Sequence, residues 1–262
     1  MPSLDEHARS QVILSALGAA GRVEVNDLAQ RLAVSPVTIR KDLDALEQRA
    51  ALRRVRGGAV AAAVVDEGSF ETRLRTRRAE KAAIARAVAP LVRDGDVIAL
   101  DSSTTCHFLA RELLHRRSLV VITNSMPTAT LFSERSEATV LVTGGIVRRS
   151  ARSVVGLIND VLAGRGRIHK GFIGAHAVSA DRGVMDMALE EVQAKQHFAA
   201  HCSELYGLVD SSKFGSFSLH TATPLSQVTA LYTGAAADPA VVAAIERAGT
   251  RVHRVAVSEE HR

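Results

Sequence analysis

Hydroxyl and carboxylate side chains follow a short apolar run at residues 97–100 and come directly before a helix-forming segment. The stretch IALDSSTTCHFLAREL, residues 98–113, places an aspartate and four consecutive hydroxyl side chains at this junction. Such hydroxyls, with the free N–H groups of a following helix, can receive a phosphate. A plain helix cap is the alternative, because Ser and Thr are also favoured capping residues. The candidate anion-binding residues are Asp101, Ser102, Ser103, Thr104 and Thr105.

Further polar or glycine-rich loops follow other predicted strands. They are Thr123-Asn124-Ser125, Thr143-Gly144-Gly145 with the basic segment that contains Arg148, Arg149 and Arg152, Gly174-Ala175-His176, and Asp210-Ser211-Ser212-Lys213. Glu191 and Lys195 are four residues apart on a helical pattern, a spacing that is also typical of a surface ion pair. Because α/β domains bind ligands at strand-end loops, convergence of these loops at one sheet edge would form a site.

An alternation of strands and helices positions these loops. After a predicted helix at 81–92, short apolar strands recur at 97–100, 119–123, 139–143, 171–175, 205–209, 228–233 and 252–257. Helix-patterned segments lie between most of them. This alternation predicts an α/β domain with a mainly parallel sheet.

Residues 4–50 instead have helical periodicity throughout and predict a helix-turn-helix. Val25, Leu28, Ala29 and Leu32 form one face of a first helix, and Ile39, Leu43 and Leu46 form the inward face of a second. Ser35 is a suitable N-cap and Pro36 suits the first helical position. The connection of three or four residues has the length that a helix-turn-helix requires. Asp42, beside the inward stripe, is expected to form an internal ion pair.

Basic and polar side chains on this unit are candidates for contact with DNA. In a helix-turn-helix, the start of the second helix meets base edges, and its outward residues here are Val37, Thr38, Arg40 and Lys41. Residues 51–60, ALRRVRGGAV, predict a hairpin with a Gly-Gly turn, on which Arg53, Arg54 and Arg56 form a basic wing. A structural three-helix bundle with a solvated basic face is the alternative.

Length, charge and composition limit the class of protein. The 262 residues favour two domains, and we expect a DNA-binding domain at 1–60, a linker at 61–79 and an α/β effector-sensing domain at 80–262. A net charge of +5 suits a polyanion, and 3% aromatic residues without tryptophan favour duplex DNA over single strands or RNA. Cys106 and Cys202 are too few for a disulfide framework or a four-ligand zinc site. No apolar run approaches the ~20 residues of a membrane span, so we expect no membrane partner. The segment MPSLDEHARS lacks the apolar core of a signal peptide, so we expect a cytoplasmic protein. We also expect no cofactor and no metal.

The winged helix of DeoR-family bacterial transcription regulators resembles the stretch DLAQRLAVSPVTIRKDLDALEQRAALRRVRGGAV, residues 27–60. The family's effector domain is similar, in order and spacing, to EKAAIARAVAPLVRDGDVIALDSSTT, VVITNS, TGGIVRRSARSVVG, KGFIGAH, EEVQAK and DSSKFG. That domain is similar to ribose-5-phosphate isomerase. The resemblance implies a sequence-specific transcriptional regulator of sugar metabolism whose inducer is a phosphorylated sugar or a related metabolite. We expect a homodimer or homotetramer that represses transcription and is relieved by this effector, with activation as the alternative.

The resemblance also assigns residues to the effector site. Residues 101–105 match the phosphate loop, and the other matched or candidate positions are Asn124, Gly144, Gly145, Arg152, His176, Glu191, Lys195 and Lys213. The sequence departs from the family pattern at Ser103 and Ala177, which are usually glycine, and at Gly234, which is usually aspartate.

Sensing and catalysis are alternatives at such a site. Related isomerases have an aspartate where this chain has His176, and Glu191 alone lacks a partner carboxylate for proton transfer. We therefore expect a sensor and not an enzyme. The competing classes are an isomerase with an accessory DNA module and an architectural DNA-binding protein without a ligand.

Overall fold

The computed structural model describes residues 6–48, 52–61, 68–156 and 167–257. The chain divides into two compact units, Met1–Glu67 with Phe217–Leu219, and Gly68–Ser216 with His220–Arg262. Of the predicted linker at 61–79, residues 62–67 lie outside the described ranges. The rest of it, from Phe70 onward, is already helical.

The first unit combines three helices with a small antiparallel sheet. Its elements are α1 (Glu6–Ala20), β1 (Arg22–Glu24), α2 (Val25–Leu32), α3 (Pro36–Gln48), β2 (Leu52–Val55) and β3 (Gly58–Ala61). The apolar stripes predicted from the sequence form its core, since Leu28, Ile39 and Leu43 are all buried. Three residues, 33–35, connect α2 and α3, so the helix-turn-helix prediction is confirmed.

The hairpin of this unit turns one residue earlier than predicted. Val55 pairs with Gly58, so Arg56 and Gly57 form the turn, and Gly57 has a φ of +85°. Strand β1, which the sequence did not reveal, pairs with β3 and completes the order β1-β3-β2. A Cβ atom on Gly58 would overlap the carbonyl oxygen of Val23, so this glycine is needed where β1 crosses the hairpin.

The second unit is an α/β domain. Its helices are α4 (Phe70–Arg75), α5 (Arg78–Val88), α6 (Thr104–Glu112), α7 (Met126–Arg135), α8 (Leu189–His201) and α9 (Pro239–Arg247). Its strands are β4 (Val97–Leu100), β5 (Val120–Thr123), β6 (Thr139–Val142), β7 (Ile146–Arg148), β8 (Ser153–Val155), β9 (Ile168–Ile173), β10 (Ala177–Ser179), β11 (Gly183–Asp186), β12 (Cys202–Leu208), β13 (His220–Thr223), β14 (Ala230–Gly234) and β15 (Arg251–Val255).

Seven strands form one parallel sheet in the order β15-β14-β12-β9-β4-β5-β6. They are the seven strands predicted from the sequence, each displaced by a few residues at most, so the predicted fold class is confirmed. Five further described strands, β7, β8, β10, β11 and β13, lie outside this sheet in antiparallel pairings. These five strands were not predicted from the sequence.

Parallel pairing places every carboxyl end of the large sheet at the same edge. The loops after β4, β5, β6, β9 and β12 therefore meet there. These loops and the start of α6 contain the candidate effector residues except Glu191 and Lys195, which lie on α8, and Arg152, which lies between β7 and β8. Side chains such as Ile84 of α5, Leu109 of α6 and Phe172 of β9 are fully buried and hold the flanking helices against the sheet. Among the helices that the structure describes, none combines the length and apolarity needed to cross a membrane.

Candidate functional site

The start of α3 presents the predicted DNA-contacting side chains to solvent. Ser35 caps this helix, because its hydroxyl accepts a hydrogen bond from the Thr38 N–H at 3.1 Å. Arg40 and Lys41 are exposed, and Val37 is 58% exposed although it is apolar. Such a surface at the N-terminus of a second helix fits the major groove of DNA.

The three predicted wing arginines differ in their surroundings. Arg54 is half-buried, its Nε lies 3.4 Å from Asp44 Oδ1, and its backbone N–H donates to Glu47. Both acidic residues belong to α3, so they fasten the wing to that helix. Arg56 is exposed at the turn, whereas the side chain of Arg53 lies outside the described part of the chain. Arg56 is therefore better placed than Arg54 to contact DNA.

A buried ion pair fixes α3 against α1. The Arg9 guanidinium donates to both carboxylate oxygens of Asp42, at 2.8 and 3.0 Å, and Asp42 is 4% exposed. The internal role predicted for Asp42 is confirmed. Because the pair is bidentate, it sets both the distance and the orientation of the recognition helix.

In the second unit, Lys195 lies buried between two carboxylates. Its Nζ is 2.7 Å from Asp101 and 3.1 Å from Asp186. Asp101 also accepts hydrogen bonds from the backbone N–H groups of Ser103 and Gly174, at 2.9 and 2.8 Å. This one carboxylate thus joins the loops after β4 and β9 to helix α8.

Burial and charge act in opposite directions on this pair. Burial raises the pKa of Asp101, but the Lys195 ammonium and the hydrogen bonds outweigh it, so the pKa lies below its usual value. Burial likewise lowers the pKa of Lys195, and the nearby carboxylates of Asp101, Asp186 and Glu191 raise it well above its usual range. Both groups are therefore charged at neutral pH.

Glu191, one turn before Lys195 on α8, organises the other half of the site. Its carboxylate accepts hydrogen bonds from Ser102 at 2.8 Å, Asn124 at 3.3 Å and Ser153 at 2.5 Å. Arg148 lies 3.4 Å from the same carboxylate. The surface ion pair that the spacing of Glu191 and Lys195 allows is thus not formed, because both side chains are buried.

Helix α6 begins at this edge with two backbone N–H groups, those of Thr104 and Thr105, that have no hydrogen-bond partner among the described residues. Ser103 caps the helix, since its hydroxyl accepts from the Cys106 N–H, while its own N–H donates to Asp101. The first turn of a helix has four N–H groups without helical partners, so those of Thr104 and Thr105 remain for a ligand. A Cβ atom on Gly174 would overlap the Ser103 side chain, so Ser103 and Gly174 lie in close contact at this loop.

Two buried polar atoms add to the capacity for a ligand. Asn124 Oδ1 and Thr143 Oγ1 are buried and have no hydrogen-bond partner among the described residues. They follow the neighbouring strands β5 and β6. Buried polar groups are nearly always paired, so both positions suit a ligand hydroxyl.

The structure separates some predicted effector residues from this network. Arg152 is 52% exposed and pairs with Glu71, whereas Arg148 and Ser153, from the same segment, reach Glu191. An effector contact of Arg152 therefore stays a prediction, and Arg148 and Ser153 are the residues of this segment that lie beside Glu191. The signal that was missed is strand register, because Arg148 and Ser153 are cross-strand partners. Gly144 and Gly145 follow β6 at the same edge of the sheet. His176 is partly exposed, and its backbone N–H donates to the carbonyl oxygen of Met185.

Lys213 lies in a second charged cluster, beside the buried Lys81. The Lys81 ammonium donates to the carbonyl oxygen of Arg73 at 2.6 Å. Burial lowers the pKa of Lys81 to about 8, with Asp210 opposing that shift and the positive charge of Lys213 adding to it. Sequence reasoning missed Lys81 because a lysine on an amphipathic helix is usually solvated.

The Gly234 departure has a steric explanation in this cluster. A Cβ atom on Gly234 would overlap the carboxylate of Glu80, which is buried and accepts from the Ser211 N–H at 2.7 Å. A carboxylate thus occupies this strand end, although it comes from α5. The structure assigns no comparable role to Ala177, which is buried in β10.

Neither unit presents an evident metal site. Within the described ranges, no group of three or more His, Cys, Asp or Glu side chains is arranged to hold a metal ion. Cys106 is buried, and Cys202 is partly buried.

Comparison with known proteins identifies both units. The model of the DeoR-like helix-turn-helix domain matches residues 9–64, and that of the DeoR C terminal sensor domain matches residues 76–235. The chain belongs to the DeoR family of transcriptional regulators. The first unit of this DeoR-family protein contains the DNA-binding domain and the second contains the sensor domain.

Curated relatives cover most of the chain. The HTH-type transcriptional regulator YgbI of Escherichia coli is 34% identical over 86% of this chain and 88% of its own. The lactose phosphotransferase system repressor of Streptococcus mutans is 32% identical over 86% of this chain and 90% of its own. The first of these relatives is named as a transcriptional regulator and the second as a repressor. Among solved structures, ribose 5 phosphate isomerase A from Neisseria gonorrhoeae aligns over 51% of this chain and 52% of its own, with 13% identity and a TM-score of 0.39.

Proposed function

We propose that this DeoR-family regulator represses genes of sugar metabolism and releases its operator when a phosphorylated sugar binds the sensor domain. The observation that carries the proposal is the pair of spare N–H groups of Thr104 and Thr105 beside the buried network of Asp101, Glu191 and Lys195. An anion at these donors also benefits from the dipole of α6. The relative from Streptococcus mutans is named as a sugar-system repressor, which supports the same role.

The spacing of the strands suggests the form of the effector. The phosphate would lie after β4, and Asn124 and Thr143 follow the next two strands of the sheet. Adjacent strands are about 4.8 Å apart, so these two residues lie roughly 5 and 10 Å along the edge. That span suits an extended sugar phosphate, with its phosphate at α6 and its hydroxyls at Asn124, Thr143 and Glu191.

The DNA-binding half of the proposal assigns base contacts to the start of α3. Arg40 and Lys41 supply donors for guanine, and Thr38 and Val37 supply contacts to a phosphate or a thymine methyl group. Arg56 on the wing supplies a contact to the DNA backbone. Arg40→Ala should abolish sequence-specific binding in a gel shift, while the melting temperature of the protein stays unchanged. Equal affinity of the variant would contradict this assignment.

We further propose a homodimer or homotetramer in the bacterial cytoplasm, where operator DNA is found. Symmetric oligomers place two recognition helices on repeated half-sites. Ile146 and Val147 are 73% and 51% exposed in the described chain, and such apolar side chains favour a subunit contact. Sedimentation velocity would measure the assembly, and a monomer at micromolar concentration would contradict it.

A thermal-shift screen tests the effector class. A ligand that binds the native state raises the melting temperature, so phosphorylated pentoses and hexoses should do so more than the same sugars without phosphate. The ligand that raises it most should then weaken operator binding. Stabilisation by unphosphorylated sugars alone would contradict the phosphate site.

A pair of substitutions at Thr104 tests the phosphate contact itself. Thr104 is the first residue of α6, where proline is tolerated, and the φ and ψ of Ser103, −71° and 149°, suit a residue before proline. Thr104→Pro removes one N–H donor and should weaken effector binding by roughly tenfold or more. Thr104→Val keeps that donor and serves as the matched control. Similar losses in both variants would contradict a contact through the backbone.

A further inference from the structure

The β7–β8 hairpin, residues 146–155, contacts the effector network at one end. Ser153 donates to Glu191 at 2.5 Å, and Arg148 lies 3.4 Å from the same carboxylate oxygen. Arg148 and Ser153 face each other across the two strands, in the pair next to the turn of the hairpin. A change at Glu191 therefore acts on both strands at once.

The turn of the same hairpin contacts helix α4. The Phe70 N–H donates to the carbonyl oxygen of Ser150 at 2.9 Å, and Arg152 pairs with Glu71 at 3.0 Å. The Phe70 ring is buried and packs edge-on against His107 of α6, with 5.4 Å between the ring centroids. In chain order α4 is the first described helix after the DNA-binding unit.

The hairpin also covers the strand-end loop from which Asn124 comes. The Val154 N–H donates to the carbonyl oxygen of Asn124 at 2.7 Å, and the Met126 N–H donates to that of Arg152 at 2.9 Å. Beneath it, Ser102, Asn124 and Glu191 are each less than 5% exposed. A sugar-sized ligand reaches these side chains only when the hairpin moves away from them.

We propose that the β7–β8 hairpin is both the lid of the effector site and the element that transmits its occupancy to α4. An effector hydroxyl at Glu191 replaces the hydrogen bond of Ser153 and displaces the hairpin. The displacement breaks or shifts the contacts of Ser150 and Arg152 with α4. Binding of an effector at this site rests on the proposed function, but the mechanical link between Glu191 and α4 does not depend on it.

Amide hydrogen exchange of the full chain tests this link without any ligand. Ser153→Ala removes one hydrogen bond to a carboxylate, which should raise exchange in the hairpin by about tenfold or more. Because the hairpin holds α4, exchange at residues 70–75 should rise with it, while the distant strands β14 and β15 stay unchanged. Ser133→Ala, at an exposed position on α7, is the matched control and should alter neither segment.

The reverse direction gives an independent variant. Coupling is reciprocal, so Glu71→Gln, which removes an exposed ion pair, should raise exchange in the hairpin by about twofold. Faster exchange of the hairpin in Ser153→Ala with no change in α4 would overturn the transmission. No change in either segment would overturn the lid as well. Since no sugar is present, failure of the sugar-phosphate proposal would leave these results unaffected.

Discussion

Replacement of Lys195 by methionine should destabilise the sensor domain strongly. The ammonium lies 2.7 Å from Asp101 and 3.1 Å from Asp186, and all three side chains are less than 10% exposed. Removing one member of a buried ion pair leaves an uncompensated charge and costs about 3–5 kcal/mol. For a domain of this size, each kcal/mol lowers the melting temperature by about 2–4 °C, so the loss should be roughly 6–20 °C.

The loss should also depend on pH in a defined direction. The pKa of Asp101 is lowered in the native protein, so its stabilising contribution is present above the unfolded pKa and disappears as the pH falls through the native value. In Lys195→Met the Asp101 carboxylate remains buried without its cation, and we expect its pKa to rise. The variant should therefore be least stable, relative to the native protein, at neutral pH and should recover part of the difference near pH 5.

Calorimetry at both pH values provides the measurement, with Lys170→Met as the matched control. Lys170 forms an ion pair with Asp96 at 2.8 Å, but its side chain is 16% exposed. We expect that replacement to cost about 1 kcal/mol or less. Equal melting temperatures of the two variants would contradict the charge argument for this site. A loss of stability in Lys195→Met that does not depend on pH would contradict it as well.

Three further outcomes follow from the described contacts. Arg56→Ala should reduce the slope of log affinity against log salt concentration for operator binding by about one unit. Arg54→Ala should change this slope less, because the Arg54 side chain pairs with Asp44. Equal slopes for the two variants, in titrations at several salt concentrations, would contradict this difference. Asp42→Asn should destabilise the DNA-binding unit by about 2–4 kcal/mol in urea unfolding, against about 0.5 kcal/mol for the exposed Asp44→Asn. Gly234→Ala should lower the melting temperature, and less so when Glu80 is also alanine; an equal cost in both backgrounds would contradict the steric explanation.

The spacing of apolar residues in the sequence identified the elements that bury a continuous apolar face. The stripes of α2 and α3 and the seven strands of the parallel sheet were predictable, because each buries a face that the sequence must fill with apolar residues. The short strands β7 and β8 gave no such signal. On β7 Ile146 and Val147 are exposed, whereas all three residues of β8 are buried. Neither strand therefore shows the alternation of apolar and polar residues that marks a half-buried strand.

The same difference applies to the candidate site. Asp101 and Thr104 were identifiable because they stand directly after a predicted strand, where a parallel sheet gathers its loops. The contacts of Arg148 and the burial of Lys81 were not identifiable in this way. Arg148 reaches Glu191 through the register of a short hairpin, and Lys81 is buried although lysine is usually exposed.

The sequence by itself determined the family, the order of the two domains and the segments that meet at the sheet edge, because local patterns of apolar and polar residues encode them. Only the tertiary structure decided which side chains contact the same carboxylate group. Glu191 binds residues from the loops after β4 and β5 and from the β7–β8 hairpin, and Glu80 fills the space left by Gly234. These contacts join residues tens of positions apart, and the packing of whole elements sets their distances.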